Sequence, residues 1–304
     1  MIDAPLKVGI STCPNDTYSF GGLLDGEIAD VPAMDFVLED IQALNDHALA
    51  GEYDVAKVSF YAALKLAKDY RVLPVGAALG YGVGPLLLAA NDELASRLPQ
   101  AGDRVLCPGQ WTTATLLYKL FCPPPGTPGT PETPEKPVTL ESGLPELPGV
   151  PGGALSHVVF SEIMPMLARG DAAYGVVIHE GRFTYAQQGL SVAMDIGKLW
   201  ETQMNQPLPL GGLVIRRSLS DEVAQQVVIA VRKSIEHAVA HPQKALAVMS
   251  RYAQELSDQV LWEHVKLYVN ETTVDLGSVG RSSLESLCQC AREVGLIGQD
   301  VDLF

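Results

Sequence analysis

LKVGISTCPNDTYSF, residues 6–20, gives the clearest indication of the fold class, because an apolar run leads here directly into a polar segment and a helical pattern. LKVGI has the composition of a buried strand, and the pattern after it predicts a helix from about Thr17. Asn15 or Asp16 would cap that helix by accepting hydrogen bonds from its free N–H groups. The loop holds more polar groups than a turn requires, so it is also a candidate ligand site.

The same alternation of strand and helix continues through the first 90 residues. Further strands are predicted in MDFVLED, YDVAKVS, VLPVGAAL and PLLLAA, and helices in IQALNDHALAG and SFYAALKLAKDY. Such alternation indicates a largely parallel α/β sheet, with ligand-binding loops at the carboxyl ends of its strands.

A second α/β unit begins near RVLCPG and includes the predicted helix WTTATLLYKLF and the predicted strand AAYGVVIHE. PLPLGGLVIRR predicts a strand that returns to the first unit. From Ser220 onward the periodicity is mostly helical.

The domain organisation follows from this order of segments. We predict a discontinuous first lobe of residues 1–100 and 206–304 and an inserted second lobe of residues 101–205. Residues 122–153 contain ten prolines and no apolar periodicity, which is typical of a surface insertion. Two crossings between the lobes predict an α/β fold like that of type II periplasmic binding proteins, with a ligand cleft between the lobes.

Composition narrows the classes of function. The 304 residues are 47% hydrophobic and 19% charged, as in soluble globular proteins. A net charge of -15 argues against nucleic acid or an anionic membrane as a partner, since both require basic patches. The sequence does not open on a signal peptide, no apolar run reaches the ~18 residues of a membrane span, and the five cysteines lack metal-ligand spacing. We therefore expect a cytoplasmic protein.

Polar residues at two further predicted helix starts have both a structural and a functional interpretation. Ser59 follows the strand in YDVAKVS, and Thr112 and Thr113 follow a Pro-Gly turn. Each could be a simple N-cap. Two adjacent hydroxyls at a helix N-terminus would also suit a carboxylate or phosphate.

The segment VVIHEGRFTY contains the best catalytic candidate. His179 ends a predicted buried strand and is followed by Glu180, Arg182 and Tyr185. A histidine there could be structural. An imidazole is also the usual group that removes a proton near neutral pH, and a neighbouring carboxylate can orient it.

Other catalytic motifs are missing from the sequence. It has no GxSxG elbow, no P-loop, no HExxH and no GxGxxG placed between a strand and a helix. GYGVGP leads into a strand, so its glycines indicate a turn or hinge. Nucleophilic, phosphoryl-transfer, zinc and nicotinamide chemistry therefore lack support.

Taken together, seven segments resemble the 1,4-dihydroxy-6-naphthoate synthases, menaquinone enzymes of the futalosine pathway. They occur in the family's order between residue 8 and about residue 280. The segments are STCPNDTYSF, DVAKVSFYA, GYGVGPLLL, PGQWTTATLL, VVIHEGRFTY, LPLGGLVI and LYVNETTVDLG. The insertion at 122–153 departs from the family pattern but lies away from these segments.

The resemblance implies a carbon-carbon lyase that converts cyclic dehypoxanthine futalosine to 1,4-dihydroxy-6-naphthoate without cofactor or metal. His179 would be the general base. A small-molecule substrate is the expected partner, and the sequence does not indicate an oligomeric state. The residues implied to bind the substrate are Asn15, Lys57, Ser59, Thr112 and Thr113, with Asp16, Glu180, Arg182 and Tyr185 in supporting positions.

Elementary chemistry agrees with this implication, because fragmenting a carbon skeleton beside a ketone begins with the loss of an α-proton. That step requires a base and donors aimed at the developing oxyanion, and Asn15 and the threonine hydroxyls are such donors. Two alternatives remain: a sister enzyme of the chorismate dehydratase type, and a non-catalytic solute-binding protein that binds a small acid.

Overall fold

The structure is a computed structural model that describes residues 4–122, 153–179, 181–253 and 257–304. The predicted insertion at 122–153 therefore lies outside the described residues, apart from its two end residues.

Contacts divide the chain into two compact units, of which only the described residues are considered below. The first draws on Met1–Gly80, Pro209–Arg281 and Val301–Phe304, and the second on Tyr81–Leu208 and Ser282–Asp300.

The strands of the described residues are numbered in chain order. They are β1 (Leu6–Ser11), β2 (Met34–Glu39), β3 (Val55–Ser59), β4 (Tyr70–Val72), β5 (Ala78–Gly80), β6 (Leu86–Ala89), β7 (Arg104–Cys107), β8 (Ala154–His157), β9 (Tyr174–Val177), β10 (Ser191–Asp195) and β11 (Leu208–Arg216).

The helices are numbered in the same way, and a 3-10 helix at Tyr185–Gln188 follows α7. They are α1 (Pro14–Leu24), α2 (Ile41–Leu49), α3 (Phe60–Leu66), α4 (Asp92–Ala95), α5 (Thr113–Phe121), α6 (Phe160–Ala168), α7 (Gly181–Thr184), α8 (Ile196–Met204), α9 (Asp221–Ala240), α10 (Pro242–Tyr252), α11 (Asp258–Tyr268), α12 (Glu271–Val274) and α13 (Gly277–Glu293).

The first unit is built on a sheet with the strand order β2-β1-β3-β11-β4, and β5 also pairs with β11. β1 lies parallel to both β2 and β3, and five of its six residues are buried. A parallel strand that is covered on both faces has apolar side chains at almost every position. This is why the apolar run identifies the strand in the sequence. The predicted returning strand is β11, which pairs antiparallel with β3 and β4.

The core of this unit joins the sheet to α1 and α9. Apolar side chains of β1, β3 and β11 pack with Phe20 of α1 and with Val227, Val231 and Ile235 of α9. The last three are spaced by four residues, so they lie along one face of the helix. The sheet that contains β1 is therefore anchored by its packing against α1 and α9.

The second unit has its own sheet, with the strand order β10-β6-β9-β7-β8. β6 pairs antiparallel with both β9 and β10. The predicted lobe boundaries differ from these units, because residues 81–100, 206–208 and 282–300, predicted in the first lobe, belong to the second unit. The apolar run PLLLAA identifies a strand, but its pattern carries no information about which sheet the strand joins.

The second unit contains a close backbone contact at two glycines. A Cβ on Gly84 would lie 2.2 Å from the Cα of Gly197, far inside van der Waals contact. Gly197 also donates its N–H to the Pro85 carbonyl, at 3.2 Å. The loop GYGVGP is thus packed against the start of α8.

We expect Gly84→Ala to destabilise the protein by about 1–3 kcal/mol, because the added methyl group must push two backbone segments apart. Gly298→Ala is the matched control, since a Cβ there meets nothing within 4 Å. Urea denaturation measures both changes. Equal stability of the two variants would contradict the packing described.

Candidate active site

The opening loop does not cap α1 as predicted. The helix begins at Pro14, and its N-cap, Cys13, makes no side-chain capping bond. Proline suits the first helical position, because its φ is already helical and its missing N–H has no partner to lose. Asn15 and Asp16 therefore lie inside the first turn, and both make contacts elsewhere.

Asp16 is buried, with an exposed fraction of 1%, and its carboxylate accepts from several donors. Ser11 donates to Oδ2 from its hydroxyl at 2.7 Å and from its backbone N–H at 3.2 Å. Asn15 Nδ2 donates to Oδ1 at 2.8 Å, and the ammonium of Lys57 forms an ion pair with the same oxygen. These hydrogen bonds and the ion pair compensate for part of the cost of taking the carboxylate out of water.

Lys57 lies on β3 and is itself buried, with an exposed fraction of 5%. Its ammonium carries three donors, of which Asp16 accepts one. Lysine is seldom this deeply buried in soluble proteins, and such a lysine is typically paired. The pair brings a predicted binding residue and a predicted supporting residue together.

Ser59 ends β3 but does not cap α3 with its side chain. Asn45 of α2 contacts it instead: Asn45 Oδ1 accepts from the Ser59 N–H at 2.9 Å, and Nδ2 donates to the Ser59 hydroxyl at 3.1 Å. Because this hydroxyl accepts from an amide, its own proton is directed to another acceptor. Ser59 thus occupies the N-cap position of α3 as predicted, but its side chain makes no capping hydrogen bond.

His264 is a further member of this group that the sequence analysis missed. It lies on α11, is completely buried, and its Nε2 is 3.1 Å from Oδ1 of Asn15. Its ring also packs against that of Tyr268, with centroids 4.4 Å apart and the planes tilted by 41°. The sequence does contain an indication of its burial, because His264 lies on the apolar face of an amphipathic helix, beside Leu261 and Val265. Asn45 gave a similar signal, next to the buried Leu44.

In the second unit, the loop before α5 is closed by threonine hydroxyls. Thr112 is the N-cap, and its Oγ1 accepts from the Thr115 N–H at 3.3 Å. The hydroxyls of Thr112 and Thr115 lie 3.2 and 2.7 Å from the Gly109 carbonyl, to which each can donate. Thr113 is the first helical residue and is 97% buried, with an exposed fraction of 3%. The capping role of Thr112 is confirmed, and the ligand-binding role of both threonines stays a prediction.

His179 follows the end of β9 in an unusual backbone conformation. Its φ is +53°, in the left-handed region that residues other than glycine seldom adopt. Its ring packs edge-on against Phe160, with centroids 5.0 Å apart. Backbone strain of this kind costs about 1–3 kcal/mol and is concentrated at functional sites. Glu180, the predicted partner of His179, lies outside the described residues.

The other two members of the VVIHEGRFTY cluster have packing partners within the second unit. Arg182 donates to the carbonyl of Gly84 and lies 3.6 Å from the Asp195 carboxylate. Tyr185 is partly buried against the apolar core that contains Ile163. Arg182 thus links α7 to the GYGVGP loop, and any contact of either residue with substrate stays a prediction.

Burial also limits the chemistry of nearby thiols and phenols. It raises the pKa of Cys107, at the end of β7, to about 12, and that of Cys122 to about 12 as well. These thiols carry almost no thiolate at neutral pH, so they are not nucleophiles. Burial likewise raises the pKa of Tyr61, two residues after Ser59, to about 12, so this phenol stays protonated.

The described residues contain neither a group of side chains suited to bind a metal ion nor a helix suited to span a membrane. Within residues 4–122, 153–179, 181–253 and 257–304, no three His, Cys, Asp or Glu side chains are grouped to bind a metal ion. Over the same ranges, no helix combines the length and apolar composition that crossing a bilayer demands.

Comparison with solved structures defines the fold class. The chain is similar to protein AF1704 from Archaeoglobus fulgidus, with a TM-score of 0.83 and 29% identity, covering 98% of this chain and 100% of that one. It also resembles the periplasmic aliphatic sulphonate binding protein SsuA from Escherichia coli, with a TM-score of 0.62 and 12% identity, covering 98% of this chain and 90% of that one. The predicted periplasmic-binding-protein-like α/β fold is confirmed.

Comparison of sequences then identifies the family. Residues 6–140 and 152–293 match the family described as menaquinone biosynthesis. The chain is 36% identical over 291 residues to a 1,4-dihydroxy-6-naphthoate synthase of Thermus thermophilus, covering 96% of this chain and 95% of that protein. It is 35% identical to a 1,4-dihydroxy-6-naphthoate synthase of Streptomyces coelicolor, covering 96% and 94%. The chain belongs to the menaquinone biosynthesis family.

Proposed function

We propose that this chain converts cyclic dehypoxanthine futalosine to 1,4-dihydroxy-6-naphthoate, in a fragmentation that begins when His179 removes a proton. The observation that carries the proposal is the similarity to two 1,4-dihydroxy-6-naphthoate synthases over nearly the full length of both chains. With the family match, it makes the chain a lyase of menaquinone biosynthesis of this type.

The proposed base is supported by its position and conformation. His179 stands where a sheet strand ends, which is the edge that carries ligand-binding loops in α/β folds. Its backbone is in the left-handed region, and its ring packs edge-on against Phe160. A neutral imidazole can accept an α-proton from the substrate and become an imidazolium.

Loss of the α-proton leaves negative charge on the adjacent carbonyl oxygen of the substrate. We propose that hydroxyl and ammonium donors stabilise that charge or bind the substrate's acidic groups. Ser59 is suited to this role because its hydroxyl accepts from Asn45 and has its own proton to donate. Lys57 is suited because its buried ammonium has donors beyond the one that Asp16 accepts.

The proposal assigns no cofactor and no metal to the reaction, and a single assay tests this together with the activity. We expect purified protein to form 1,4-dihydroxy-6-naphthoate from cyclic dehypoxanthine futalosine, at a rate unchanged by prolonged treatment with EDTA. Product is measured by chromatography and mass spectrometry. Chorismate, supplied in parallel, should be recovered intact.

Three results would contradict the proposal. Consumption of chorismate would indicate the sister dehydratase activity. Tight binding of an unaltered small acid without any product would indicate a solute-binding protein. Loss of activity with EDTA, restored by a divalent cation, would show that the reaction uses a metal ion.

A further inference from the structure

A continuous chain of polar contacts, buried or partly buried, runs from α11 to β3 within the first unit. His264 contacts Asn15, Asn15 donates to Asp16, and Asp16 is paired with Lys57. Three of these side chains have exposed fractions of 5% or less: 0% for His264, 1% for Asp16 and 5% for Lys57. Asn15, the fourth member, is partly buried, so water weakens the Asp16–Lys57 pair least.

The charges in this chain determine which way each group is oriented. The Asp16 carboxylate accepts from Ser11 and Lys57, so the group of Asn15 that faces it must be the donating Nδ2. The amide oxygen of Asn15 then faces His264, which must present an N–H at Nε2. One tautomer of the buried imidazole is thereby specified.

An apolar side chain would otherwise suit this position. His264 lies among the apolar residues Leu261 and Val265, on the buried face of α11. Burying a polar ring there is costly unless the ring forms hydrogen bonds. The bond to Asn15, which lies on α1, offsets part of that cost. The imidazole therefore acts on the Asn15 amide as well as filling space.

We propose that His264 is a positioning residue, which acts through Asn15 and Asp16 to hold the Lys57 ammonium in place for a carboxylate of the substrate. The inference rests on the proposed function, because it takes Lys57 as a substrate-binding group. His264 itself touches no substrate. Losing its donor frees the Asn15 amide to turn, and the Asp16–Lys57 pair then loses one of its restraints.

The test compares His264→Leu, which removes the donor, with His264→Gln, whose amide can still donate to Asn15. The probe is the product, 1,4-dihydroxy-6-naphthoate, and its Kd is measured by fluorescence titration beside KM and kcat. We expect His264→Leu to raise Kd and KM about 5–30-fold, as for the loss of one buried hydrogen bond, while kcat changes by less than about threefold. His264→Gln should restore most of the affinity.

Leu261→Ala is the control for a purely structural effect, since Leu261 is a fully buried neighbour on the same helix. It should lower the melting temperature without changing Kd. If His264→Leu is not recovered in folded form, His264→Phe carries the same test, because it removes the donor to Asn15 while keeping an aromatic ring on the buried face of α11.

The positioning role is overturned if His264→Leu binds the product like wild type, or if His264→Gln is no better than His264→Leu. It is also overturned if Leu261→Ala weakens binding to the same extent. These outcomes are distinct from failure of the proposed function, in which wild-type protein binds the naphthoate but does not form it.

Discussion

Replacing His179 with asparagine should lower kcat by about 10²–10⁴-fold, which is the usual contribution of a positioned general base. Asparagine keeps a similar shape and some hydrogen bonding, and it tolerates the left-handed backbone conformation found at this position. Substrate binding should therefore remain, and the loss should appear in kcat. Steady-state kinetics on the purified variant measures it.

The pH profile distinguishes a base from a structural histidine. In wild-type protein, kcat/KM should rise through a limb near pH 6–7, roughly the ordinary range of an imidazole, and the limb should vanish in His179→Asn. His241→Asn is the matched control, because His241 is an exposed histidine at a helix boundary. Turnover of His179→Asn within threefold of wild type would remove His179 from the mechanism.

Replacing Lys57 with methionine should lower the free energy of unfolding by about 3–5 kcal/mol, because it leaves the carboxylate of Asp16 buried without its cation. Methionine preserves most of the apolar length of lysine, so the effect reports mainly on charge. Urea denaturation measures the loss. Lys7→Met is the control, since its partner Glu52 is about as exposed as Lys7 and such pairs contribute little.

The double variant Lys57→Met/Asp16→Leu separates stability from function. Removing both charges should recover much of the lost stability, as replacement of a buried ion pair by apolar residues often does. Affinity for the naphthoate should nevertheless stay low, because the ammonium is missing. A Lys57→Met variant as stable as wild type would show that the pair is not buried as described.

The sequence allowed the elements of the fold to be predicted because most of them are locally encoded. The buried parallel strand β1 is a continuous apolar run, and α9 carries a clear helical period over Asp221–Ala240. Thr112 could be predicted as a cap because capping depends on residues within one turn. The family resemblance, through its matched segments, supplied Lys57 and the role of His179.

What could not be predicted depends on contacts between distant parts of the chain. Asn45 meets Ser59 from another helix, and His264 meets Asn15 from the far end of the sequence. Neither pair leaves a periodic or capping signal, since only the tertiary packing brings the partners together. The same reason explains why the sequence predicts β6 in the first lobe, whereas it lies in the second unit.

The position of β11 has a consequence for how the protein is made. β11 pairs with β3 on one side and β4 on the other, although the whole β6–β10 sheet precedes it in the chain. A ribosome adds roughly 5–20 residues per second. The time between synthesis of β4 and synthesis of β11 is therefore on the order of ten seconds. During that interval the unpaired N–H and C=O groups of β3 and β4 are templates for pairing with another nascent chain. Completion of the first sheet is thus a late, long-range step in biosynthesis, and the yield of folded protein depends on keeping those edges apart until β11 arrives.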